Sequence, residues 1–113
     1  MSLPLHASCH LEVGAIAQGT ALEWTAGGTR DTHCIQMLRL GMDLGMTVVD
    51  TAPIYEDGHA EEVVGRALSD RRTHAFLATK FSPAASRRDD VIRSAEESLR
   101  RLRTDWIDLL QIH

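Results

Sequence analysis

The sequence predicts an α/β fold in which parallel strands alternate with helices. Short apolar runs of strand length recur along the chain, amphipathic segments separate them, and the last three runs end at an ionisable side chain. Alternation of this kind is typical of parallel strands joined by right-handed crossovers. A parallel barrel and an open doubly wound sheet both satisfy the pattern, so the alternation alone leaves that choice open.

The bulk composition fits one modest globular domain. The chain has 113 residues, of which 43% are apolar and 25% charged, an ordinary globular balance. The net charge of -4 and the lack of a dense basic run do not indicate a nucleic-acid partner. No apolar run reaches the roughly 18 residues of a membrane span, and no signal-peptide pattern is evident. Two cysteines without framework spacing favour a reducing, cytoplasmic location.

The first predicted elements are a strand, a loop and a helix. Residues 11–18 form a mostly apolar run that fits a buried strand. Residues 24–32 are predicted to be a loop, with two glycines as its flexible part. Asp31 or Thr32 is the expected N-cap of the following helix. One apolar face of this helix comprises Ile35, Leu38 and Met42.

The second predicted strand is short and ends at a carboxylate. Residues 47–49 include two valines, which favour strands, and Gly45 suits the position after a helix C-terminus. Pro53 cannot donate a ladder hydrogen bond, so strand pairing is expected to stop before it. Asp50 is therefore predicted at the C-terminal end of the strand, with Tyr55 on the loop beyond it.

A second helix is predicted from about His59 to a C-terminus near Arg71. Glu61 and Glu62 lie in its first turn, where the helix dipole favours anions, and the arginine lies where it favours cations. The predicted buried face comprises Val63, Val64, Ala67 and Leu68.

The remaining elements are a strand, a helix and a strand. Residues 75–80 predict a third strand, which ends at Lys80. Ser86 and the residues after it resemble a capping box and open the third helix. Residues 106–113 predict a fourth strand, which ends at His113. The apolar stripe of the third helix comprises Val91 or Ile92, Ala95, Leu99 and Leu102.

Four ionisable side chains of different types are predicted to meet at one edge of the sheet. Asp50, Lys80 and His113 end successive strands and Tyr55 follows the first of them, and parallel strands place their C-termini on one face, where binding sites form. Phenols ordinarily keep their proton at neutral pH, but a nearby ammonium stabilises the phenolate. A carboxylate would hold the lysine charged and in place, and an imidazole could hydrogen-bond a substrate oxygen. Together these groups make a proton donor for a carbonyl oxygen.

Two other kinds of site are disfavoured. His6, Cys9 and His10 lie close together in sequence, but a closed zinc site needs four ligands with paired spacing, so no metal site is predicted. No Gly-x-Gly-x-x-Gly follows the first strand, so a dinucleotide-binding Rossmann unit is not supported.

Five segments of the chain resemble the aldo-keto reductases, in order and over almost everything beyond residue 12. They are residues 18–20 (QGT), 44–55 (LGMTVVDTAPIY), 60–65 (AEEVVG), 78–80 (ATK) and 98–113 (SLRRLRTDWIDLLQIH). The resemblance implies a (β/α)8 TIM barrel that transfers hydride from NADPH to a small-molecule aldehyde or ketone. Ala21 departs from the aromatic residue that many members carry there, which affects the expected wall of the substrate pocket.

The resemblance also implies a role for each site residue. Tyr55 would be the general acid, Lys80 and Asp50 its electrostatic partners, and His113 the residue that orients the substrate. Gly19 and Thr20 match a loop near the nicotinamide end of the cofactor, and Asp50 is counted with them as cofactor-binding.

The length implies only part of such a barrel. A complete barrel needs about 250 residues, so residues 1–113 are expected to form the N-terminal half, with about four strands and three helices and the C-terminal half absent. The isolated chain is then expected to be inactive and to self-associate through the open edges of its sheet. The alternative is a non-catalytic barrel remnant or a regulatory binding subunit.

Overall fold

The computed structural model describes residues 13–21 and 29–113, and in them four strands alternate with three α-helices as predicted. The strands are β1 (Ala17–Gly19), β2 (Val48–Asp50), β3 (Phe76–Phe81) and β4 (Leu109–Ile112). The helices are α1 (Thr29–Asp43), α2 (His59–Ala67) and α3 (Arg88–Leu102). In these two ranges no helix is long and apolar enough to cross a membrane. The cluster of His6, Cys9 and His10 lies outside the described residues.

The four strands form one parallel sheet in the order β1-β2-β3-β4. A doubly wound sheet reverses its strand order at a switch point, whereas here each strand pairs with its neighbour in sequence. The alternation of elements left the barrel and the open sheet undecided, and the family resemblance implied the barrel. The observed order confirms that prediction, since it is that of consecutive βα units in the first half of a (β/α)8 barrel. Within the described chain, β1 and β4 are the edge strands.

The hydrophobic core lies between the sheet and the helices. The predicted faces of α1 and α2 are confirmed, since their apolar residues are buried or pack against the core. The core comprises Leu38, Met42, Val49, Val64, Ala67, Leu68, Ala75, Leu77 and Leu102. The stripe of α3 is confirmed only in part: Leu102 is buried, while Ile92 is 41% exposed.

The C-terminus of α1 ends in the motif that Gly45 predicted. Gly45 has a φ of 91°, and its N–H donates to the carbonyl of Met42 (2.9 Å). The N–H of Met46 donates to the carbonyl of Gly41 (2.9 Å), which completes a Schellman motif. This turn directs the chain straight into β2.

The predicted boundaries of β1 and β4 need correction. The expected strand at 11–18 is Ala17–Gly19, with residues 11 and 12 outside the described part of the chain, and the expected burial is wrong because Val13 and Ile16 are 56% and 64% exposed. These residues precede an edge strand, which has a neighbour on one side only. β4 is Leu109–Ile112 rather than 106–113. Just before it, the side chain of Asp108 accepts the N–H of Leu77 (2.8 Å), while the N–H of Asp108 donates to the carbonyl of Leu77 (3.0 Å).

The predicted caps were wrong. Asp31 lies inside α1, which starts at Thr29, and its carboxylate accepts from side chains of α2 instead of capping α1. Arg87 precedes α3 without a side-chain cap bond, while Ser86 closes a preceding 3-10 turn. The loop predicted at 24–32 ends earlier than expected, since residues 29–32 are helical. Its residues 24–28 lie outside the described ranges.

Three other boundaries shift by a few residues. The second helix ends at Ala67 rather than near Arg71, and a short 3-10 turn follows at Arg72–His74. The strands expected at 47–49 and 75–80 are each displaced by one residue. Element ends depend on hydrogen bonds that propensity does not fix.

α2 and α3 approach closely at Gly65, which leads to a stability prediction. A Cβ on Gly65 would lie 2.6 Å from the carbonyl oxygen of Leu102. Alanine favours a helix over glycine by about 1 kcal/mol, but here the backbones must separate, so we expect Gly65→Ala to lower the free energy of unfolding by about 1–3 kcal/mol. Urea denaturation measures it. Gly19→Ala is the matched control, because its Cβ would meet nothing within 4 Å; equal losses in both variants would refute the packing argument.

Candidate active site

Asp50 and Lys80 form an ion pair at the C-terminal edge of the sheet. Asp50 pairs in register with Ala78, and Lys80 lies two residues further on, so both side chains project from the same face. Lys80 Nζ donates to Oδ1 and Oδ2 of Asp50, at 2.9 and 2.7 Å, and to the carbonyl of Thr51 at 3.0 Å. The lysine side chain is 14% exposed and the aspartate 36%, so the pair lies at the surface of the mouth.

Tyr55 reaches the same ammonium from the loop after β2. Its phenol oxygen accepts a hydrogen bond from Lys80 Nζ at 3.3 Å, and Nζ lies 5.1 Å from the ring centroid. Tyr55 starts a tight turn that ends at Gly58, in which Glu56, Asp57 and Gly58 all have positive φ (51°, 52° and 90°). Two non-glycine residues in this region are uncommon and strained.

His113 completes the group at the end of β4. The main-chain N–H of His113 donates to the carbonyl of Phe81 (3.0 Å), which fixes the end of β4 beside that of β3. The imidazole meets the Tyr55 ring edge to face, with centroids 5.8 Å apart at 84°. The structure thus brings together all four residues that the sequence placed at one edge. Chemically, the arrangement offers a phenol O–H and an imidazole to one ligand oxygen, with an ammonium behind the phenol.

Gly19 and Thr20, two of the three residues predicted to bind cofactor, differ in accessibility. Gly19 is exposed at the end of β1, with open space around it. Thr20 is 1% exposed, and its N–H and hydroxyl both donate to the carbonyl of Asp50, at 3.1 and 3.0 Å. Its hydroxyl is therefore committed to holding the end of β2 rather than presented to a ligand.

A cleft of about 300 Å³ adjoins the site on the side of His113. Its walls are mainly apolar and include Pro53, Ile54 and Phe81. A group attached to a ligand bound at Tyr55 could enter this space. In the described ranges no three His, Cys, Asp or Glu side chains are grouped to hold a metal ion.

Sequence reasoning missed an ionic cluster beside the Tyr55 turn. His59, the first residue of α2, contacts Asp31 through Nε2 (2.9 Å) and Glu62 through Nδ1 (3.4 Å), and Arg66 donates to Asp31 (2.8 Å). The hydrogen bond with Asp31 raises the pKa of His59 above its ordinary 6.5, against an opposing effect of burial. The hydrogen bond with His59 lowers the pKa of Asp31 below its ordinary 3.8. The two contacts of Asp31 join residues 28 and 35 positions apart, so no local pattern signals them.

The cluster predicts a stability optimum in pH. The contribution of His59 is fully present below its ordinary pKa of 6.5 and is lost as pH rises through its raised native value; that of Asp31 is present above 3.8 and is lost as pH falls through its lowered native value. We expect His59→Gln to lower the urea midpoint clearly at about pH 5.5 and much less at about pH 9. His74→Gln, at an exposed position, is the control. A pH-independent difference would contradict the assignment.

Sequence reasoning also missed the burial of Glu61. The residue lies in the first turn of α2 as predicted, but its side chain is completely buried. It precedes Val64, Gly65 and Leu68 by three, four and seven residues, so the helical period places it on their buried side. That spacing was the available signal.

Known proteins of similar sequence identify the family of this chain. The sequence model of the Aldo/keto reductase family matches residues 15–113. The chain belongs to the aldo/keto reductase family. It is 42% identical over 99 residues to methylglyoxal reductase YeaE of Escherichia coli, covering 88% of this chain and 34% of that protein. It is 37% identical over 115 residues to aldo-keto reductase YhdN of Bacillus subtilis, covering 91% and 35%.

Solved structures agree with the fold. A Klebsiella pneumoniae aldo/keto reductase in complex with NADP and acetate superposes with a TM-score of 0.84 at 40% identity, covering 89% of this chain and 35% of that one. An aldo-keto reductase from Bacillus halodurans in its holo form gives 0.75 at 32% identity, covering 89% and 36%. The chain spans about a third of the length of the relatives it matches.

Proposed function

We propose that this chain supplies the proton-donating part of an NADPH-dependent reductase of small aldehydes or ketones, as the N-terminal half of one barrel domain. The observation that carries the proposal is the 3.3 Å hydrogen bond from Lys80 to the phenol oxygen of Tyr55, made while the same ammonium is held by Asp50. Membership of the aldo/keto reductase family and neighbours crystallised with NADP or NADPH support it.

Each of the four residues has a distinct role in the proposal. Because Tyr55 accepts from Lys80, its own proton is directed to another acceptor, here the carbonyl oxygen of the substrate. The ammonium then stabilises the phenolate that remains. Asp50 fixes the ammonium through both carboxylate oxygens. His113, beside the phenol, donates to or orients the same substrate oxygen.

The residues of this edge fit a nicotinamide nucleotide, which when bound supplies the hydride. Gly19 offers open space at the end of β1, and the partly exposed carboxylate of Asp50 is an acceptor for hydroxyl or amide donors. Both residues are proposed to contact the cofactor. Thr20 is proposed to act one step behind them, since its two hydrogen bonds fix the main chain of Asp50.

The test is a chimera in which this chain replaces the matching N-terminal third of methylglyoxal reductase YeaE, a relative of 42% identity. We expect NADPH oxidation with methylglyoxal, and NADPH binding by fluorescence titration. The matched control carries Lys80→Met, which removes the ammonium and keeps the chain's length. A folded chimera that binds NADPH but reduces no aldehyde would contradict the proposal and favour a non-catalytic role.

We further propose that the isolated chain self-associates through β1 and β4. Both are edge strands within the described chain, and large apolar side chains lie exposed on or near them, among them Ile16, Leu109 and Ile112. We expect sedimentation velocity to show dimers or larger species at micromolar concentration. Ile112→Lys, which places a charge on the exposed edge, is expected to favour the monomer. A wild-type chain that stays monomeric would refute this.

The proposed location is the cytoplasm. Cys34 is a free thiol, and burial raises its pKa, so it is kept in its protonated, less reactive form. A free cysteine fits a reducing compartment.

A further inference from the structure

A buried carboxylate lies directly behind the Tyr55–Lys80 pair, on the helix side of the sheet. Glu61 is 0% exposed. Its Oε1 accepts from the hydroxyl of Thr79 and its Oε2 from Nε of Arg101, both at 2.6 Å. A fully buried carboxylate is costly unless it is paired and hydrogen-bonded, and both of its oxygens are engaged here. Glu61 therefore connects α2 to β3 and to α3.

The hydrogen bond between Glu61 and Thr79 links Glu61 to Lys80 through the main chain of β3. Thr79 precedes Lys80 in β3, and successive side chains of a strand point to opposite faces. Thr79 is completely buried on the helix side, and Lys80 projects into the mouth. The hydrogen bond from the Thr79 hydroxyl to Glu61 therefore fixes the position and rotation of β3 at Lys80, the residue that presents the ammonium.

The hydrogen bond between Glu61 and Arg101 links Glu61 to the turn that starts at Tyr55. The guanidinium stem of Arg101 packs against Gly58, the last residue of the Tyr55 turn: a Cβ on Gly58 would lie 2.7 Å from Cδ and 2.9 Å from Nε of Arg101. The turn contains Glu56 and Asp57 at positive φ, and such a conformation persists only when its surroundings hold it. Arg101 provides one such support at the end of the turn.

We propose that Glu61 and Arg101 are positioning residues that set the separation between Tyr55 and Lys80 from the far side of the sheet. The clamp made by Glu61, Arg101 and Thr79 lies on the helix side of the sheet, opposite the face from which Lys80 projects. It rests on the proposed function for its catalytic meaning, but its geometry is testable without turnover. Its three members belong to α2, α3 and β3, so it also ties the helices to the strand that carries the ammonium.

The sequence itself provides a clean readout, because Tyr55 is the only tyrosine and Lys80 the only lysine. In the YeaE chimera with only this 113-residue segment labelled with isotopes in these two residue types, a Tyr–Lys nuclear Overhauser cross-peak within the labelled segment has a single assignment. Nζ lies 5.1 Å from the Tyr55 ring centroid in the intact site. The wild-type chain is expected to show the cross-peak, and its absence there would overturn the proposal.

The test variant is Thr79→Val, which removes the hydroxyl and keeps the shape and strand preference. We expect the intensity of its Tyr–Lys cross-peak to fall by about threefold or more. A fall of this size corresponds to an added separation of about 1 Å between the two side chains. Thr79→Ser, which restores the hydroxyl, is expected to restore the cross-peak. Glu61→Met provides a second variant of similar length that removes both acceptor oxygens. It is expected to behave like Thr79→Val, and it decides the question if Thr79→Val does not fold.

The matched control is Asp108→Asn. This carboxylate also pairs with an arginine, Arg72, and with β3, but at the opposite end of the strand. The cross-peak should survive in it. Survival of full intensity in Thr79→Val and Glu61→Met would overturn the proposal, as would equal loss in Asp108→Asn, which would show general loosening. Loss of aldehyde reduction in the chimera with this pattern intact would count against the proposed function alone.

Discussion

Replacing Tyr55 by phenylalanine in the YeaE chimera is expected to lower kcat/KM for methylglyoxal by about a hundredfold to ten-thousandfold. The substitution removes the O–H that faces outward from Lys80 and keeps the ring that meets His113. Because the phenyl ring preserves the packing of the mouth, NADPH affinity should stay close to that of the parent. Steady-state rates and a fluorescence titration separate the two effects.

Trp106→Phe is the control for this prediction. It also removes a polar atom from an aromatic ring, but Trp106 lies before β4, where Arg72 packs 4.3 Å from its centroid, at the opposite end of the sheet. Its kcat/KM should remain near the parent value. Near-normal turnover in Tyr55→Phe would remove this residue from the role of acid, whatever the cofactor titration shows.

Leu77→Ala is expected to lower the free energy of unfolding by about 2–5 kcal/mol. Leu77 is 1% exposed near the start of β3 and belongs to the core shared by sheet and helices. Truncation removes its contacts and leaves a cavity that a close-packed interior fills only in part. Domains of this size are usually stable by about 5–15 kcal/mol, so the loss is a large share of the total. Urea denaturation followed by circular dichroism measures it.

Leu44→Ala provides the same substitution at a surface position. Leu44 is 72% exposed, and such changes usually stay within about 0.5 kcal/mol. If the two variants lost similar stability, the core of this chain would not be where the structure places it. A changed m-value in Leu77→Ala would show instead that the substitution had altered the compactness of the native or denatured state or had broken two-state unfolding.

The sequence by itself determined the element order, the helical faces and the residues at the strand ends. Apolar periodicity located Leu38 and Val64 correctly, since both are buried in the core. Gly45 indicated the left-handed turn after α1, because glycine adopts positive φ without steric cost. Strand-end placement and the family resemblance together singled out Asp50, Tyr55, Lys80 and His113. These signals are local or depend on chain direction, so they can be read without coordinates.

Tertiary structure alone decided what the buried carboxylates Asp31 and Glu61 do. Asp31 was one of two expected N-caps of α1 and Glu61 was expected only as an anion in the first turn of α2, yet both are buried and the partners given above lie 18 to 40 residues away. A carboxylate suits a helix start, a surface or a buried ion pair equally well by composition. Only the packing of α2 against α3 and the sheet brings Arg101 and Thr79 within hydrogen-bonding distance of Glu61, and the strand order 1-2-3-4 likewise follows from pairing that no single segment encodes.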